Sequence, residues 1–304
     1  GDERALGSVV GLADWAIKMD AGEQHLLGIA SNHRTGLASC TTEPGYHGPG
    51  RGAGNTINAL LDGWLATGQR QYVDKCDEIL RRTIHPNDAI PQRDLLNAEP
   101  RWSYTVYLQV LLKMLEMTRD APEWHETRDY ARQSVLHYAG WMLTHERAYL
   151  DSPAALEYPT ETWAAQDLRK GNVLLGAARI TTGSAAESLR ERGHELLDKA
   201  WKSLQSFPTH IYTRPLALVL QQVYQESFLS NDRSEACHQK QDCEYQPQFF
   251  NSHPPFVPLK TLLKAELCRP AGLLRVSLHC LRPSWYNALR RTWIAEIARR
   301  LLYE

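Results

Sequence analysis

The chain is read as all-α: an (α/α) toroid of helical hairpins, short of a full set, followed by an irregular proline-rich segment and a terminal amphipathic helix. Three observations predict this. Apolar residues recur at helical spacing up to about residue 225, and no alternating stretch reads as a strand. The helical segments come in pairs, the first apolar almost all round and the second apolar on one side, as expected of an inner helix packed on both faces and an outer helix meeting water. The pairs recur at roughly 45 to 60 residues, longer than the common short helical repeats.

Taken in order, Leu6, Val9, Val10, Ala13 and Ile17 form one helical face that should end near Asp20-Ala21-Gly22. A polar connection then leads to Tyr46-His47-Gly48-Pro49-Gly50-Arg51-Gly52-Ala53-Gly54-Asn55, a glycine-rich loop running into an apolar helix from Asn55 with Ile57, Leu60, Leu61, Trp64 and Leu65. Thr67-Gly68-Gln69 ends that helix, and Tyr72, Val73, Cys76, Ile79 and Leu80 make the second arm of a hairpin. The plan recurs with a loop at Asn97 to Trp102, an apolar helix Tyr104 to Met117, and a polar-faced helix carrying Ala131, Val135, Tyr138 and Met142. A third copy starts at Glu157, with a helix from about Ala164 to Ile180, a turn at Thr181 to Ser184, and Leu189, Leu196, Leu197, Ala200 and Leu204 on its second arm. A fourth begins at Thr213-Arg214-Pro215 and runs through Leu216 to Tyr224.

These readings assign 1–230 to a toroid domain and 231–304 to an irregular segment plus a basic helix packed on it. Prolines 247, 254, 255 and 258 argue against long helices in the tail. Beyond them Trp285, Leu289, Trp293, Ile297 and Leu301 lie four apart among Arg290, Arg291, Arg299 and Arg300, a cationic amphipathic helix. Packing onto the domain is its expected role, and docking on a membrane surface or partner protein the alternative.

A chain of 304 residues, 43% hydrophobic and with net charge −1, reads as an ordinary soluble globular protein and not a general nucleic-acid binder. No apolar run approaches the about 18 residues of a membrane span. Six scattered cysteines are too few for a disulfide scaffold; they favour a reducing, cytoplasmic compartment and leave the localisation open. The chain opens on glycine with no signal-peptide core, so its numbering is taken to begin after a processed or truncated segment. Cys237, His238, Cys243 and His253 match no zinc spacing, and no phosphate loop, dinucleotide fingerprint or nucleophile elbow is present. No metal and no cofactor is therefore called. His85, His125, His137 and His194 read as capping, surface or packing residues.

If the inner helices all point one way, the loops preceding them gather at one end. Those loops carry the unusual residues. Tyr46, His47, Arg51 and Asn55 come from the first, Glu99, Arg101 and Trp102 from the second, Glu157, Tyr158, Glu161 and Trp163 from the third, and Arg214 from the fourth. Asp167 and Arg169 follow within the third helix. Helix N-termini favour anions, and Arg51 beside one could hold a carboxylate, sulfate or phosphate. The alternative, ranked second, is that the glycines serve a tight turn alone, with Arg51 paired to a structural carboxylate.

Arg51-Gly52-Ala53-Gly54-Asn55, the helix to Trp64, Thr67-Gly68 and Tyr72 resemble the Arg-Gly-rich hairpin and Thr-Gly turn of six-hairpin glycosidase-like toroids. Unsaturated glucuronyl hydrolases and rhamnogalacturonyl hydrolases belong to that group, and several polysaccharide lyases use similar toroids. The resemblance covers about 30 residues at hairpin level. It implies a carbohydrate-active enzyme acting on an acidic, uronic-acid-containing glycan.

For hydrolysis, one protonated and one ionised carboxyl must flank the glycosidic bond, and Glu157, Glu161 and Asp167 supply the groups. Alternatively, Thr160 or Thr162 caps the helix and these acids favour its positive end. For β-elimination, Arg51 or Asn55 would neutralise the substrate carboxylate while His47 with Tyr46 or Tyr158 exchanged protons. Arg51, Arg101, Arg169 and Arg214 favour an anionic sugar in either case, and Trp102, Tyr158 and Trp163 suit stacking on sugar rings. Hydrolase is ranked just above lyase. A non-catalytic glycan-binding or polysaccharide-assembly protein is the alternative class, and a helical-repeat interaction scaffold ranks third.

Overall fold

The computed structural model describes residues 2–22, 34–41, 46–230, 256–258, 261–262, 264–265 and 268–269. Of the tail read as irregular, only 256–258 fall among them, without regular structure. The basic helix read at Trp285 to Leu301, and Cys237, His238, Cys243 and His253, lie outside the described residues. The chain divides into two compact units, Gly1–Ala38 with Pro255–Glu304, and Ser39–Pro254.

The first unit holds α1 (Glu3–Ala21). The Asp2 carboxylate caps its start by accepting the Arg4 N–H at 2.9 Å, and Gly22 ends it as expected. Ala13 and Ala16 are buried, whereas Leu6, Leu12 and Trp15 stand exposed. Asp20 orders the chain that follows, its carbonyl accepting the Gly36 N–H and its carboxylate the Ala38 N–H.

The second unit is a series of helical hairpins, and no strand occurs among the described residues. A single antiparallel bridge joins Cys40 and His47. The hairpins are α2 (Arg51–Thr67) with α3 (Arg70–Thr83), α4 (Tyr104–Met117) with α5 (His125–His145), and α6 (Glu161–Arg179) with α7 (Gly183–Ser206). A further helix, α8 (Thr213–Ser230), follows. The first members pack one on the next, α2 on α4, α4 on α6 and α6 on α8, and each second member covers its own partner.

Burial follows that plan. In α6, 15 of 19 residues are buried, as an inner helix requires. In α5 the buried set Thr127, Tyr130, Ala131, Ser134, Val135, Tyr138, Ala139 and Met142 is a single stripe at three- and four-residue spacing. The last helix departs from the expected inner type. α8 buries Pro215, Leu218 and Gln222 but leaves Leu220 and Tyr224 exposed, because α6 covers one side of it.

Two expected boundaries need correction. α6 begins at Glu161, before the expected Ala164, so Glu161 and Trp163 sit in its first turn and not in the loop ahead of it. The glycine-rich segment is not loop as far as Asn55; α2 already begins at Arg51, so Arg51 and Asn55 sit in its first turns. The glycine responsible serves packing. A Cβ on Gly54 would lie 3.2 Å from the Tyr107 Cα, so its absence lets α2 approach the α4 backbone. At the other end Gly68, with φ of 68°, returns its N–H to the Trp64 carbonyl, and the helix stops at the Thr-Gly turn the sequence predicts.

Candidate functional site

The segments preceding the four first-arm helices are tied together in chain order. Between the first and second, the Arg101 guanidinium lies 4.1 Å above the Tyr46 ring, and Ser103 Oγ accepts the Arg51 N–H at 3.2 Å. Between the second and third, Glu99 Oε1 accepts the Glu157 N–H at 2.9 Å. The second, third and fourth meet in a cleft of about 190 Å³. Trp102 and Glu99 come to it from the second, Tyr158 and Trp163 from the third, and Arg214 from the fourth. Thr160, Thr162 and Gln166 complete the lining.

Local structure explains why these side chains project. Tyr158 precedes the helix start and is 69% exposed, while its carbonyl accepts the Trp163 indole N–H at 3.1 Å. Trp163 is held from behind by Tyr149, ring centroids 5.0 Å apart and edge to face. Aromatic faces beside hydroxyls, an amide, a carboxylate and a cation are the chemistry that holds a polyhydroxylated, acidic ligand. Arg214 is exposed and has no side-chain partner among the described residues.

Behind Gln166 lies a network of amides. Arg169 donates Nε–H to Gln166 Oε1 at 2.9 Å, one terminal nitrogen to Gln109 Oε1 at 2.8 Å and the other to Gln221 Oε1 at 3.2 Å. Gln109 in turn donates to Gln222 and Gln225, each at 2.6 Å, and Asn172 donates to Gln222 at 3.0 Å. No acidic side chain pairs with Arg169 among the described residues. Burial lowers its pKa from the ordinary arginine value, opposed by Tyr149.

Deeper still is a cluster of charges. Lys170 Nζ lies 2.8 Å from Glu146 Oε2 and 3.1 Å from Asp167 Oδ1, donates to the Arg147 carbonyl at 2.6 Å, and sits 3.2 Å from the Tyr149 ring centre. Tyr104 donates to Glu146, and the Tyr149 N–H donates to the Asp167 carboxylate at 3.0 Å. Lys170 and Asp167 are each 1% exposed. Burial pushes the Asp167 carboxyl up to about 6, with Lys170 pulling the other way. Burial, reinforced by Glu146, holds the Tyr104 phenol well above its usual range.

Of the residues singled out from sequence, Glu99, Trp102, Tyr158, Trp163 and Arg214 therefore line one cleft, and Arg169 reaches its wall through Gln166. Glu161, next in sequence to the lining residues Thr160 and Thr162 but not itself in the lining, is 9% exposed, and its buried Oε1 has no hydrogen-bond partner among the described residues. Asp167 faces the charge cluster, not the cleft lining. Tyr46 and Arg101 pair with each other, and Arg101 also donates to the Arg93 carbonyl. His47 bonds Ser39 Oγ through Nδ1 at 2.9 Å. Arg51 and Asn55 are exposed on α2, and Glu157 is exposed beside the Glu99 contact.

Sequence reasoning passed over Gln166, Gln109 and Gln221, and also Lys170 with Glu146. A signal existed for one of them: Gln166, Arg169 and Asn172 fall three apart, a polar line on an otherwise buried helix. His85 and His137 hold structure as expected. The first accepts the Asn87 N–H through Nδ1, and the second bonds the Asp88 carbonyl through Nε2. No helix among the described residues is long and apolar enough to cross a membrane. Comparisons with protein-family models, curated proteins and solved structures find no match.

Proposed function

We propose that this chain is a carbohydrate-active enzyme cleaving an acidic, uronic-acid-containing glycan, and that its hairpin series is an arc of an (α/α) toroid. The observation that carries this reading is the cleft, where Trp102, Trp163 and Tyr158 stand with Glu99 and Arg214. Indole faces pack against the apolar face of a sugar ring, while the polar groups between them suit hydroxyls and a carboxylate.

Hydrolysis is the leading reaction. Glu161, whose carboxyl has a buried oxygen with no hydrogen-bond partner among the described residues, gives a proton to the leaving glycosidic oxygen. Glu99, in the cleft wall, accepts a proton from the water that attacks the anomeric carbon, and solvent then restores both groups. The second reading is β-elimination, favoured by two arginines at the cleft without acidic partners among the described residues, Arg214 in its lining and Arg169 behind Gln166. Cations that neutralise a uronate make its C5 proton removable, and Tyr158 is the lining residue suited to exchange it.

The test is turnover of a panel of acidic and neutral polysaccharides, followed both by new reducing ends and by the ultraviolet absorbance of unsaturated uronate. New ends without that absorbance mean hydrolysis, and new ends with it elimination. Binding without turnover puts a non-catalytic glycan-binding protein first. Under hydrolysis, Glu161→Gln abolishes turnover in a protein that still folds; retained activity rejects the assignment.

A further inference from the structure

Burying a cation is costly unless a counter-charge goes with it. Lys170 has two acids, yet its neighbour Arg169 has three amide oxygens drawn from α4, α6 and α8 and, among the described residues, no acid. Amide oxygens orient a guanidinium without cancelling its net charge. A guanidinium carries five N–H donors, and the three bonds to Gln166, Gln109 and Gln221 leave one on each terminal nitrogen unused. A free N–H on each terminal nitrogen of a positive, pre-oriented guanidinium suits a carboxylate or sulfate oxyanion. The side chain is half-buried, so water competes less there than at the exposed Arg214. Gln166 both lines the cleft and accepts the Arg169 Nε–H, which places Arg169 directly behind the cleft wall.

We propose that Arg169, held by Gln109, Gln166 and Gln221, is an anion subsite at the inner wall of the cleft, taking one oxyanion group and making the cleft select acidic over neutral sugars. This rests on the reading of the cleft as a glycan site. Arg214, exposed at the rim, attracts the ligand without discriminating by itself, because an exposed charge is screened by salt.

The test is calorimetric titration of wild type, Arg169→Gln, Arg169→Lys and Arg214→Gln with glucuronate-containing and glucose-containing oligosaccharides of equal length, each variant checked for a cooperative melt. Wild type should prefer the acidic ligand. Arg169→Gln should lose about 10- to 100-fold in affinity for it while binding the neutral one as before, since a hydrogen-bonded charge pair carries most of that preference. Arg169→Lys keeps charge but not the fork and should fall between. Arg214→Gln should lose a few-fold, and only at low salt. Sulfate at millimolar concentration should compete with glucuronate on wild type and not on Arg169→Gln. Equal affinity of wild type for both ligands, an unchanged preference in Arg169→Gln, or loss of the preference in Arg214→Gln instead would each overturn the subsite and leave the glycan cleft standing. Binding of neither ligand by wild type would overturn the cleft reading and this inference with it.

Discussion

Arg169 and Lys170 are consecutive residues of α6, and the fold treats their charges in opposite ways. Lys170 is sealed at 1% exposure and met by Glu146 and Asp167, with the Arg147 carbonyl accepting a further hydrogen bond from it. Arg169 instead meets three glutamine oxygens, one of them from Gln166 in the cleft lining, and no acid among the described residues. Residues one apart on a helix project about a hundred degrees apart, so a single register places one cation in the interior and the other beside the cleft. A charge compensated from within the chain holds helices together. One left positive has its remaining donors available to something outside the chain.

The sharpest way to break the comparison is to remove the compensated cation. Lys170→Met leaves Glu146 and Asp167 facing each other in the interior, and should cost about 3–5 kcal/mol in urea unfolding. A loss below ~1 kcal/mol would mean that water reaches this cluster and that its role is not structural.

The acids of the same cluster provide the next largest effect. Asp167 holds its proton more tightly in the fold, near 6, than in the unfolded chain, near 3.8. Between those values the native state binds more protons, so raising the pH through this window removes stability, by at most ~3 kcal/mol from this residue. Asp167→Asn cannot titrate, still accepts the Tyr149 N–H, and should flatten the dependence of the melting temperature between about pH 4 and pH 6 relative to wild type. An identical slope in both proteins would assign the titration to another group.

The contrast also explains what was legible beforehand. The helix Tyr104 to Met117 is legible to the residue because its apolar positions are dense and a Thr-Arg-Asp turn follows it. The start of α2 was misjudged because Gly52 and Gly54 look like loop residues, and the need for Gly54 lies in Tyr107, a contact made across more than fifty positions. The cleft was partly foreseen, since Trp102, Trp163 and Arg214 follow from which loops precede the first-arm helices. The fates of Arg169 and Lys170 were not. Their partners sit at Gln109, Gln221 and Glu146 on other elements, and no local pattern says which cation meets an acid and which an amide.

Removing the uncompensated cation should cost less. Arg169→Gln deprives three amide oxygens of a donor, but the new side chain can donate to one of them and Gln221 is exposed to water. A loss of about 1–2 kcal/mol is expected, well below that of Lys170→Met. Equal losses in the two variants would erase the distinction and make Arg169 a structural residue.

The smallest effect belongs to a third cation, Arg51, in the first turn of α2. Its backbone N–H is satisfied by Ser103 Oγ, so the main chain is anchored whatever the side chain is. Its guanidinium is exposed, with no partner among the described residues, and it stands where the helix dipole disfavours positive charge. Arg51→Ala should therefore leave stability within about 0.5 kcal/mol of wild type, or raise it slightly, because alanine is also the better helix former. The comparison with Arg169 becomes sharper when ligand is added. Arg51 is absent from the cleft lining, so its replacement should leave the acidic-over-neutral preference unchanged, and a variant that lost the preference while melting normally would move the anion site from α6 to the start of α2.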